Sequence, residues 1–194
     1  MLKLSGLLFF LSGTTIFLGI LTAEIFYPNY SISLNMISSL GATPPPDSVI
    51  KEPSAYIFDS VMALAGVLTV AGALFSRKTN KNLLTIFLLL LGIGTLGVGI
   101  FPAFHKIFHP ISALTAFLSG GVAAILSSKK TSSPFKYIAL ILGIIALVFL
   151  VLGLFFPHSF ISTLGRGGVE RWVAYPIIIW MIGFGAYLMA QDKK

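Results

Sequence analysis

Six apolar runs divide the chain at approximately 4–25, 55–76, 83–103, 109–127, 137–157 and 172–190. Each is close to the roughly 20 residues that a helix needs to cross the hydrocarbon of a bilayer. A backbone in lipid must satisfy its own amides and carbonyls, so a spanning segment is either a helix or a strand of a closed barrel. None of the six shows the ten-residue alternation of a barrel strand. The reading is therefore an all-α polytopic membrane protein, a six-helix bundle forming a single domain over 1–194.

Composition agrees with lipid as the solvent. Hydrophobic residues make up 56% of the chain and charged residues 10%, with a mean hydropathy of +0.96, against about 45–50% and about 25% in soluble domains. There is no cysteine, which excludes disulfides, thiolate metal sites and thiol nucleophiles. The first run follows Lys3 as a secretory signal would, but it is long and no A-x-A cleavage pattern follows, so it reads as a retained helix.

The net charge of +7 is spread over short connections and does not form the clustered patch a nucleic acid would need. It reports topology instead. With the N-terminus in the cytoplasm, the inner connections carry Lys3, Arg77, Lys78, Lys81, Lys129, Lys130, Lys136, Lys193 and Lys194. The outer ones carry Lys51, Lys106, Arg166 and Arg171. Nine against four places both termini inside a cell membrane.

The helix ends also hint at three hairpin repeats. Odd helices end alike, at Phe26-Tyr27-Pro28, Ile100-Phe101-Pro102 and Phe155-Phe156-Pro157. Even helices are followed by Ser76-Arg77-Lys78-Thr79, Ser128-Lys129-Lys130-Thr131 and Gln191-Asp192-Lys193-Lys194. Interfacial preferences of aromatics and lysine would produce the same endings without any repetition.

Unusual polar residues collect at the outer pole. Glu24 ends helix one, Asp59 lies just inside helix two, His105 and His109 flank the turn between helices three and four, and His158 ends helix five. Arg166, Glu170, Arg171 and Trp172 open helix six. Because an ionised side chain at bilayer depth costs at least about 2.5–3.5 kcal/mol, such residues face a cavity or a partner.

Two outer loops carry local patterns. In 31–40, Ser31, Asn35, Ser38 and Ser39 recur at helical spacing, with Ile32, Met36, Ile37 and Leu40 offset by one, which predicts a short amphipathic helix closed by Gly41. It lies either in the interface plane or over a cavity as a lid. The stretch Gly165-Arg166-Gly167-Gly168-Val169-Glu170-Arg171 combines glycines, two guanidinium groups and the free amides of a helix start at 172, features that favour an anion. Glu170 could equally neutralise either arginine internally.

The stretches Asn29-Tyr30-Ser31-Ile32-Ser33 with Asn35, Ile37-Ser38-Ser39-Leu40-Gly41, Gly99-Ile100-Phe101-Pro102 followed by His109, and Gly168 through Pro176 resemble a prokaryotic integral membrane family designated domain of unknown function 998. The resemblance spans essentially the whole chain. It implies a six-helix bundle and no particular activity.

The leading expectation is an extracytoplasmic pocket for a lipid headgroup or small anionic ligand, built from Glu24, Asn35, Ser39, Asp59, His109, Arg166, Glu170, Arg171 and Tyr175. Membrane lipids, a small anion or a second copy of the chain are the expected partners. The alternative is a zinc-dependent intramembrane lipid hydrolase, with His105, His109, His158 and Asp59 as the metal set. The third is a structural or assembly subunit. Residue types alone do not decide whether a reaction is catalysed.

Overall fold

The computed structural model describes residues 1–77 and 83–191. Within them it contains α1 (Leu2–Ile25), α2 (Ser54–Arg77), α3 (Leu83–Ile100), α4 (Phe108–Ser128), α5 (Phe135–Phe155) and α6 (Gly165–Ala190). Two 3-10 turns, Ile37–Leu40 and Phe160–Leu164, precede α2 and α6. All six helices are long and apolar enough to cross a membrane, and no strand occurs among the described residues. Lys78, Thr79, Lys81, Asp192, Lys193 and Lys194, which enter the topology and repeat arguments, lie outside the described residues.

Each helix packs antiparallel on the next in the chain, and α6 closes the circle against α1. Water drives none of this packing inside a bilayer, so close approach and buried hydroxyls carry it. Gly6 and Gly185 show the first device. A Cβ on either would stand 2.7 or 2.6 Å from the other's carbonyl oxygen, so α1 and α6 touch backbone to backbone. The α1–α2 contact shows the second: Ser5 Oγ donates to the Gly72 carbonyl at 2.8 Å. Ser12 Oγ and Thr69 Oγ1 meet at 2.7 Å beside the Ala65 carbonyl.

Helix α5 stands apart from the other five. Only Ala139, Gly143, Ala146 and Leu150 of it are buried, and it packs against α4 and α6. Those two touch each other directly inside it. Trp180 of α6 is fully buried there, and its indole N–H donates to Ser127 Oγ at 2.9 Å. The inner ring is thus α1, α2, α3, α4 and α6.

Two expectations need correction. Helix α6 begins at Gly165 rather than at 172, so the glycine-rich stretch is its first turn and Glu170 and Arg171 lie well inside it. Segment 31–40 is not an amphipathic helix. Turns over 32–35 lead into the 3-10 turn, where Ile37, Ser38, Ser39 and Leu40 are all buried while Ile32 and Leu34 face outward. The physical reason lies in its neighbours, since groups on α6 take the backbone atoms that a helix would have used internally.

Candidate functional site

Arg171 organises the loop pole. It is 6% exposed and its Nη2 donates to Glu24 Oε1 at 2.6 Å and to Tyr30 OH at 2.8 Å. Its Nη1 reaches three carbonyls, those of Ile32 at 2.9 Å, Asn35 at 3.2 Å and Gly167 at 3.0 Å. Planar forked donors suit this role better than an ammonium would. Tyr30 OH in turn donates to the Met36 carbonyl at 2.9 Å. The guanidinium is therefore a brace that ties α1, loop 30–36 and α6 together, with its charge met by Glu24.

The loop seats on α6 because the helix start has no side chains there. Gly167 N–H donates to the Ser33 carbonyl at 2.9 Å, satisfying an amide that a helix start leaves free. A Cβ at Gly167 would overlap the carbonyls of Asn35 and Ile32. Gly165 has φ +71°, a conformation that L side chains rarely adopt, and it lies against the Ser33 carbonyl. The Asn35 side chain accepts the Ser31 N–H at 2.8 Å and so shapes the loop itself.

Burial raises the Tyr30 phenol to about 12 from its usual 10.0, outweighing the neighbouring guanidinium, which pulls the other way. The unfolded tyrosine loses its proton first, so the stability Tyr30 contributes is complete below pH 10 and declines as pH rises from about 10 to 12. Thermal unfolding followed across that window should fall more steeply for the native chain than for Tyr30→Phe.

Beneath the loop, the five inner helices line a partly open cavity of about 60 Å³ as traced by the centre of a water molecule. That is room for several water-sized groups rather than one. Its walls are apolar and include Ile16, Phe58, Val98, Ala113, Phe117 and Ile178. Ile37 and Ser38 of the 3-10 turn close over it, and Ser54 Oγ pins that turn to α2 through the Leu40 carbonyl at 3.1 Å. Four polar residues also line the cavity: Ser38, Thr95, His109 and Glu170.

Three of these four have hydrogen bonds already committed on one side. Glu170 accepts the Ile37 N–H through Oε2, and Ser38 of the same turn lies beside it. His109 is 7% exposed, with Nδ1 2.7 Å from the Phe101 carbonyl. A carbonyl only accepts, so Nδ1 carries the hydrogen and Nε2 of the neutral ring is an acceptor. Thr95 donates its hydroxyl to the Leu91 carbonyl at 2.8 Å.

The other expected site residues sit elsewhere. Tyr175 lies beside Arg171 and meets the Phe17 ring edge-on at 6.4 Å. Ser39 is buried in the 3-10 turn. Asp59 packs against Gly41, its Oδ1 buried without a partner, and it does not line the cavity. Arg166 and His158 face outward, and the His105 ring lies tilted against Phe104 with centroids 4.3 Å apart. The two guanidinium groups do not come together: Arg166 is exposed, and Arg171 gives its Nη groups to Glu24, Tyr30 and carbonyls while its Nε is buried without a hydrogen-bond partner. Nor do His105, His109, His158 and Asp59 form a zinc site, because no three metal-ligating side chains come together among the described residues.

A family described as "Protein of unknown function (DUF998)" matches residues 10–187. The chain belongs to this family. Among curated proteins it is similar to "Multidrug resistance protein MdtC" of Erwinia amylovora, 30% identical over 124 residues, which is 61% of this chain. The chain spans about 12% of that relative's length. No solved structure matches.

In this DUF998 member the sequence flags Glu24, His109, Glu170 and Arg171 as unusual, but nothing in it joins them. Tyr30 and Thr95 carry no such signal, whereas Ser38 belongs to the serine stripe that the lid reading turns toward a cavity. A phenol in an outer loop and a threonine in a span are ordinary on their own, and only their distance to Arg171 and to the cavity gives them a role.

Proposed function

We propose that this multi-pass membrane protein binds a small amphiphilic molecule drawn from the bilayer, with the apolar part inside the bundle and the head at the loop pole. The observation that carries this reading is the cavity itself, an apolar void lined by five helices with Ser38, His109 and Glu170 at one end, Thr95 deeper, and a braced loop over the polar end. Ligand sites in helical bundles have this form, mostly apolar with few placed polar groups. The charge asymmetry of the connections supports a loop pole on the extracytoplasmic side of the cell membrane. The brace keeps the roof in place: Arg171 holds loop 30–36, and Glu170 holds the 3-10 turn.

A chain without cysteine allows a clean test. Ser38→Cys places one thiol of similar size in the cavity wall. In sealed vesicles it should react with a charged, membrane-impermeant methanethiosulfonate added outside, and octanol should slow that reaction. Labelling only from the cytoplasmic side, or a rate indifferent to octanol, contradicts the reading.

A further inference from the structure

The polar groups around the cavity share one property: each presents an acceptor to it. Thr95 has given its hydrogen to Leu91, and His109 has given its Nδ1 hydrogen to Phe101. Ser38 lines the cavity beside Glu170. Glu170, once paired with a cation, is a carboxylate with none to give, and its two oxygens offer more lone pairs than the Ile37 N–H consumes. A ligand that brings only acceptors would leave these groups facing lone pairs and would meet a carboxylate, which costs the desolvation of every group involved.

Charge points the same way. The loop pole holds buried Arg171 between partly buried Glu24 and Glu170, two acids for one base. With Arg171 paired to Glu24, Glu170 has hydrogen bonds but no ion-pair partner among the salt bridges of the described residues. A cation in the cavity would supply that partner, and the resulting pair, like Glu24 with Arg171, is neutral as a whole, the arrangement that low-dielectric surroundings favour.

Resting on the binding reading above, we infer that the ligand carries a donor-rich cationic head, a primary ammonium on an apolar body, whose three N–H groups are met by Glu170, His109 Nε2 and the Thr95 oxygen. The anionic headgroup expected from the arginines is the wrong partner for this cavity. The apolar body lies among Ile16, Phe58, Val98 and Ile178.

Four probes of equal chain length test this in the full chain, reconstituted in nanodiscs of zwitterionic phosphatidylcholine. They are octylamine, octanol, octanoate and octyltrimethylammonium, the last carrying the charge without an N–H donor. Charge-assisted hydrogen bonds of ordinary strength predict that octylamine binds about tenfold or more tighter than octanoate and octyltrimethylammonium. In Glu170→Gln, whose amide oxygen still accepts the Ile37 N–H and preserves the roof, the advantage of octylamine over octanol should shrink to about twofold or less. Octanoate matching octylamine, or octyltrimethylammonium matching it, overturns the inference from the wild-type series alone. If octanol still binds saturably and is blocked by Ala113→Leu, the pocket survives that failure. If no probe binds saturably to the wild type, the pocket reading fails and this inference with it.

Discussion

Arg171→Met should lower the thermal unfolding midpoint of the protein by on the order of 10 °C, the largest loss expected of any single polar substitution at the loop pole. The substitution keeps the apolar length of the side chain and removes every donor. Glu24 then stays buried with no cation, and removing one partner of a buried pair typically costs about 3–5 kcal/mol. Two loop carbonyls, of Ile32 and Asn35, lose their donor at the same stroke. Glu24→Gln should cost much less, because an amide oxygen still accepts from Nη2 and the rest of the brace is intact. In the double variant Glu24→Leu/Arg171→Met the losses should be clearly less than additive, since no charge is left stranded.

Gly167→Ala should separate loop 30–36 from α6 at a cost of about 1–3 kcal/mol, because the new methyl group overlaps two carbonyl oxygens that cannot both retreat while Arg171 holds them. Hydrogen exchange at the loop amides reports this directly: Asn35 N–H, bonded to the Ser31 carbonyl at 2.8 Å, should exchange faster in the variant. Gly168→Ala is the control. A Cβ there meets only the Leu164 side chain of the preceding turn, at 3.0 Å, and alanine is the better helix former by up to about 1 kcal/mol. Equal effects at the two positions would show that the glycines matter for flexibility and not for the seat they form.

How much of this was legible in the sequence depends on the range of the force involved. The six spans were, because hydropathy over 20 residues is a sum that no single neighbour can reverse. The first five helices begin and end within three residues of where the apolar runs place them. Helix α6 starts seven residues early because Gly165, Gly167 and Gly168 read as loop by propensity, while the structure uses Gly165 and Gly167 to let another loop approach. Segment 31–40 failed for the converse reason. Its spacing suits a helix, but the Ile32 and Asn35 carbonyls go to Arg171 and the Ile37 amide to Glu170, so contacts more than 130 positions away override the local pattern. The polar pole was legible as a set. Its pairing was not: two arginines at the head of α6 suggest an anion until Glu24 is seen to neutralise one of them.

Everything proposed about function rests on the cavity being filled from the bilayer. Native mass spectrometry of the full chain, released gently from membranes, tests that most directly. Wild type should fly with one small amphiphile bound, and Ala113→Leu, which grows a side chain into the cavity, should fly bare while folding as well as wild type. Wild type emerging bare under conditions that preserve its fold, or the same adduct on both proteins, would contradict the account.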